Sequence, residues 1–205
     1  MYQPSLPLSS PLYTDNSKVP SLIPPILTCL IGKRLGDATT PVNIQFTLRD
    51  LAASILKLVC KKFGDSSHTL KPRLTRTCLK HFLDPAKPFG THYGSIIGLA
   101  AIGGRECTRV LILPNIKLFE KVVRPEIEED GPRRKEAEMC VGAIVGVLKL
   151  LEEDFQYPLN PPAGSADEIR SQLIHHVGEI VGDEVWRLRR EPLVRSILEA
   201  AAAGV

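Results

Sequence analysis

From residue 21 to the C-terminus the chain repeats one pattern: about 15–20 residues with apolar positions three or four apart, then a stop made of glycine or proline. That spacing belongs to amphipathic helices. No segment alternates apolar and polar residues long enough to read as a strand. Aromatic residues, at 5%, are also too scarce to fill the faces of a large β-sandwich. The fold class expected is therefore all-α.

The helices can be placed approximately. Ser21 is a candidate cap for a first helix through Pro24 and Pro25 to about Leu35, with Gly36 as its stop. The second runs from Gln45 to Phe63, with Leu48, Leu51, Ala52, Ile55, Val59 and Phe63 as its expected core face and Asp50, Lys57 and Lys61 opposite. A third, from about Thr69 to Leu83, carries Leu70, Leu74, Cys78 and Phe82 four apart and stops at Asp84-Pro85. A fourth extends from Phe89 to Ile102 and ends at Gly103-Gly104; a fifth, from Arg105 to Val123, must kink or split at Pro114. An acidic turn over 126–132 precedes a sixth helix from Arg133 to Phe155. The run 158–162 is expected as extended loop, a seventh helix opens at Ser165 or Asp167, and 183–202 gives one or two short helices broken near Pro192.

Taken in pairs, these segments recur every 35–50 residues or so, a spacing that overlaps HEAT and armadillo arrays, with a compact irregular bundle as the alternative. Residues 1–20, with prolines at 4, 7, 11 and 20 among serines, are expected to be a flexible linker, leaving 21–205 as the folded domain. The 205 residues suit one domain, or at most two small ones. Five scattered cysteines give no disulfide framework and favour a reducing compartment. The longest apolar runs fall short of the roughly 20 residues that span a bilayer, so no membrane partner is expected.

Catalytic and metal chemistry find little support. Cys78 and His81 are three apart on one helix, but Cys78 continues an apolar stripe and no second ligand pair has suitable spacing. His175 and His176 point about 100° apart on a helix and cannot easily share an ion. Ser95 is not in a strand-to-helix elbow, and Gly94, Gly98 and Gly103 do not follow a strand as a phosphate loop requires. Gly94 and Gly98 read instead as a close approach between helices. No enzyme, cofactor or metal is expected.

The charge distribution is more informative than the net charge of +3. Across 57–87 eight basic residues stand against Asp65 and Asp84, a local charge of +6. Within it Arg73, Arg76 and Lys80 share one face of the third helix and form a candidate interaction surface. Weak contact with nucleic-acid phosphates, an acidic protein partner and a merely solvated face are all compatible with such a ridge. The acidic stretches at 126–130 and 152–154 provide opposite charge within the same chain, which favours protein docking or self-association over DNA coating.

Several stretches resemble a known family. Leu48-Arg49-Asp50-Leu51-Ala52-Ala53, Cys60-Lys61-Lys62-Phe63 and Arg73-Leu74-Thr75-Arg76-Thr77 are similar to the carboxy-terminal domain of TBP-associated factor six. The densest match is Thr91-His92-Tyr93-Gly94-Ser95-Ile96-Ile97-Gly98-Leu99-Ala100, followed by Gly103 and Leu111-Ile112-Leu113-Pro114. It resembles the family's Arg-Tyr-Gly-Ser-Ile-x-Gly-Leu signature, with His92 in place of Arg. Arg49, Tyr93, Gly94, Gly98 and Pro114 are its candidate structural residues. The resemblance implies an armadillo-like HEAT solenoid of four to five helix pairs, without a catalytic role. It further implies a nuclear scaffold of transcription factor IID, and in fungi of the SAGA coactivator, whose partners are other TBP-associated factors and coactivator subunits. The alternative reading is a helical module contacting promoter DNA through the 57–87 ridge.

Overall fold

The computed structural model describes residues 19–37, 39–64, 66–152 and 164–203. Most of the expected linker and the run 158–162 lie outside the described residues; Val19 and Pro20 already belong to the first helix. Among the described residues there are nine α-helices and no strands: α1 (Val19–Ile31), α2 (Val42–Phe63), α3 (Leu70–Leu83), α4 (Phe89–Cys107), α5 (Ile116–Glu128), α6 (Arg134–Leu148), α7 (Ala166–Val177), α8 (Glu179–Arg187) and α9 (Glu191–Ala202). The even-numbered helices pack in succession, α2 on α4, α4 on α6 and α6 on α8. Each is backed by the odd-numbered helix before it, which makes four helix pairs, and α9 closes the stack against α7 and the turn after α6. This two-layer arrangement is an armadillo-like HEAT solenoid. One continuous core runs from Leu30 and Leu56 through Ile96, Leu99 and Ile116 to Ile144, Leu173 and Ile197.

Several boundaries differ from the sequence expectation for local reasons. Ser21 lies inside α1 rather than capping it, and α1 ends at Ile31, not near Leu35. Pro24 and Pro25 sit in its exposed first half, where the donors they lack would have served only the carbonyls of residues 20 and 21. α4 continues past Gly103, and the break falls at Gly104, whose φ of 53° and ψ of −132° leave the helix. A π turn (Thr108–Ile112) and a 3-10 turn holding Pro114 (Leu113–Asn115) then separate α4 from α5, so the helix splits there. α5 runs to Glu128, beyond the expected stop at Val123. α6 ends at Leu148 and passes into a 3-10 turn over Lys149–Glu152. Gly178, at φ 82°, ends α7, and α8 starts at Glu179, four residues earlier than expected; the expected break near Pro192 falls at 188–190, just ahead of Pro192 in the first turn of α9.

The largest correction concerns α2. Its buried face is Phe46, Arg49, Ala52, Ala53, Leu56, Val59, Cys60 and Phe63. Leu48, Leu51 and Ile55, expected in the core, are exposed. Two apolar stripes run along this helix, and periodicity alone does not say which one has a neighbour.

Candidate functional site

A buried arginine organises the first two helix pairs. The last carbonyls of a helix have no partners within the helix, and its C-terminus carries partial negative charge. At the end of α1 these carbonyls are met by side chains from α2 and α4. Arg49 is 1% exposed; its Nη1 donates to the Leu30 carbonyl at 2.7 Å and its Nη2 to the Gly32 carbonyl at 2.8 Å. Thr91 Oγ1 donates to the Ile31 carbonyl at 3.1 Å. Burial lowers the guanidinium pKa to about 10, which leaves it fully charged at neutral pH.

This clasp requires α4 to have no side chains where it crosses α1. A Cβ on Gly94 would run into the Leu30 carbonyl, one on Gly98 would stand 2.8 Å from Leu30 Cδ2 and 3.1 Å from Cys78 Sγ, and one on Gly90 2.7 Å from Arg49 Nη2. Tyr93 ties α4 to α2 on the adjacent face. Its hydroxyl donates to Asp50 Oδ1 at 2.7 Å and its ring meets Phe46 edge-on at 4.5 Å. Burial and the Asp50 carboxylate push the Tyr93 pKa upward. His92 points into the core between Phe89 and Phe119. Its burial lowers the imidazole pKa, against the opposing pull of the Phe82 and Lys87 carbonyls and Asp84. The structure thus groups Arg49, Thr91, Gly94 and Gly98 at one crossing, with Tyr93 beside it; Pro114 lies apart, in the turn before α5.

Arg73, Arg76 and Lys80 are all exposed along α3, and none forms an ion pair among the described residues. The acidic stretch over 126–130 behaves differently. Glu126 pairs with Arg133, Glu128 with Arg124, and Asp130 with Arg134. Arg124 also binds Glu120 and Glu179, joining α5 to α8, while Glu152 pairs with Arg190. These carboxylates are engaged within the chain, so they are not a free counterpart for the basic ridge. Sequence reasoning missed these pairs, although the four-residue spacings of Glu120, Arg124 and Glu128 are a legible signal. Cys78 is fully buried beside Gly98, and among the described residues no group of three or more His, Cys, Asp or Glu could hold a metal ion. No helix there is long and apolar enough to cross a membrane.

Comparison with known proteins bears on the same segment. The family model for the TAF6 C-terminal HEAT repeat domain matches residues 16–117, which include the whole Arg49–Thr91–Gly94 clasp. The chain belongs to this family. The Schizosaccharomyces pombe SAGA complex/transcription factor TFIID complex subunit Taf6 is 42% identical over 186 residues, covering 88% of this chain and 39% of that protein. Arabidopsis thaliana transcription initiation factor TFIID subunit 6b is 36% identical over 160 residues, covering 74% of this chain and 30% of its own. The Drosophila melanogaster TFIID subunit 6 is 31% identical over 106 residues, 52% of this chain and 17% of that protein. The chain therefore spans well under half the length of these relatives. In this chain the clasp holds the first pair of helices on the second, and the cations of α3 stay exposed.

Proposed function

We propose that this chain is a non-enzymatic scaffold segment of a nuclear TFIID subunit, shared with a SAGA-type coactivator, that supports pre-initiation complex assembly through protein–protein contacts. Its partners in this reading are other TBP-associated factors and coactivator subunits. The observation that carries the reading is the 88% coverage of this chain by a protein described as a SAGA and TFIID subunit. A two-layer stack of helices with broad faces fits such a role physically, because each pair buries its apolar surface on the next and leaves the rest for docking. Arg73, Arg76 and Lys80 supply a candidate docking ridge, exposed and without an acidic partner among the described residues.

Duplex contact through the 57–87 cations is the second reading, favoured by that same lack of counter-charge. Self-association through the ridge is disfavoured, because three of the four carboxylates at 126–130, Glu126, Glu128 and Asp130, are engaged in ion pairs of their own. The protein and duplex readings separate in one experiment. Charge reversal of Arg73, Arg76 and Lys80 together is expected to lower recovery of transcription-complex subunits in a pulldown and to leave duplex affinity little changed at physiological salt. Three changes are needed because single exposed ion pairs contribute only about 0–1 kcal/mol. If the triple variant keeps every partner but loses steeply salt-dependent DNA binding, the ridge is a nucleic-acid surface.

A further inference from the structure

The second apolar stripe of α2 has no neighbour among the described residues. Ile44, Leu48, Leu51, Ile55 and Leu58 are 56%, 38%, 56%, 40% and 67% exposed. Their spacing alternates four and three residues, the a/d pattern of helices that pack along a seam. Phe46 and Asp50, which meet Tyr93 of α4, lie about 100–180° around the helix from the middle of this stripe at 100° per residue. The stripe therefore faces away from α4, at the open end of the stack, where α2 is the first even-numbered helix among the described residues. The end units of a helical solenoid need a polar outer face to stay soluble, and contiguous exposed apolar patches of this kind mark interaction sites. This end is not polar.

Charge selects what can lie on it. At the C-terminal end of the stripe Lys62 is exposed and continues the a/d series, and Lys61, exposed three residues beyond Leu58, borders it. Neither pairs with a carboxylate among the described residues; Lys62 rests 5.5 Å over the Phe63 ring. The N-terminal half is flanked by the uncharged Thr47 and Ser54. The basic end is also the C-terminus of α2. A helix lying antiparallel to α2 would bring its own N-terminal turn there, the turn in which carboxylates are most favourable.

We propose that the outer face of α2 docks an amphipathic helix from a different protein chain, apolar at heptad spacing, acidic in its first two turns and antiparallel to α2. Ile44 to Leu58 span about 21 Å, so the docked helix has about four turns. The surface is separate from the α3 ridge, and its test involves no transcription-complex subunit. Failure here leaves the scaffold reading intact, and failure of that reading leaves this face to be judged alone.

The probe is a fluorescent synthetic peptide of about 15 residues, with leucine at a and d, glutamate in its first two turns and alanine and glutamine elsewhere; a second peptide carries lysine in place of glutamate. Anisotropy titrations use the 205-residue chain. The glutamate peptide is expected to bind at least about ten-fold more tightly than the lysine peptide. Leu51→Glu with Leu58→Glu, both at exposed positions, is expected to weaken it by about ten-fold or more while circular dichroism and thermal midpoint stay unchanged. Lys61→Glu with Lys62→Glu is expected to invert the preference between the peptides. Equal affinity for both peptides, or indifference to the leucine changes, overturns the proposal. So does a homodimer in sedimentation velocity that the leucine changes abolish, because the occupant is then a second copy.

Discussion

Replacing Gly94 and Gly142 by alanine makes the same chemical change in the interior of two helices, and the structure predicts opposite outcomes. In an unobstructed helix alanine is favoured over glycine by about 0.8–1.0 kcal/mol. Gly142 is such a position: it is exposed on α6, and a Cβ there has nothing within 4 Å. Gly94→Ala receives the same intrinsic gain, but its methyl group meets the backbone carbonyl of Leu30. That carbonyl is fixed by the Arg49 bond at 2.7 Å, so it cannot retreat without loosening a buried guanidinium. Overpacking costs about 1–3 kcal/mol and a hydrogen bond to a charged group contributes about 1.5–3 kcal/mol. With the propensity gain subtracted, the expected net loss is about 1.5–5 kcal/mol for Gly94→Ala, against a gain of up to about 1 kcal/mol for Gly142→Ala. Urea denaturation followed by far-UV circular dichroism reads both, provided the slopes match the parent. A Gly94→Ala midpoint at or above the parent value would refute the seating of α1 on α4 and the clasp with it.

Further predictions concern single interactions. Because the folded-state pKa of His92 is below its ordinary value of 6.5, the unfolded chain binds the proton more readily. The stability this contributes is complete above pH 6.5 and is lost as pH falls below it; urea midpoints between pH 7.5 and about 5 should fall less steeply in His92→Leu. Arg124→Ala removes the partner of Glu120, Glu128 and Glu179 and leaves the buried Glu120 carboxylate uncompensated, an expected loss of about 1–2 kcal/mol that chemical denaturation at low salt will register. Ser165→Ala removes a capping box in which Glu168 N donates to Ser165 Oγ at 3.3 Å and Ser165 N to Glu168 Oε2 at 2.7 Å. About 1 kcal/mol should be lost, with faster amide exchange in the first turn of α7 as the local readout.

The sequence makes the helices legible and conceals their neighbours. Spacing at three and four residues identifies α2, α3 and α4, and Leu74, Cys78 and Phe82 are buried as that spacing requires. On α2 the same rule mixes two stripes: Ala52, Val59 and Phe63 are buried as expected, while Leu48, Leu51 and Ile55 are not. Leu48, Leu51 and Ile55 satisfy a helical period as well as Ala52, Leu56 and Cys60 do, and only the close approach of α4 and the end of α1 decides between them. Arg49 misleads in the other direction. A charged residue normally marks the solvent side, yet here its charge is consumed by carbonyls that become neighbours only after folding. Most of the free acidity of 126–130 disappears for a similar reason: Arg133 reaches Glu126 across the turn, four-residue pairs absorb Glu128 and Asp130, and only Glu129 is left. Breaks at Gly104 and Gly178 depend on positive φ values, which a glycine permits and does not dictate.

The central claim is that this solenoid serves assembly of a transcription complex, and affinity purification of the intact endogenous protein, with mass spectrometric identification of what accompanies it, tests that claim most directly. The expected result is stoichiometric recovery of other TFIID subunits, with SAGA subunits in a distinct fraction. Recovery of the protein without any subunit of either complex, under salt that preserves such assemblies, would contradict the account.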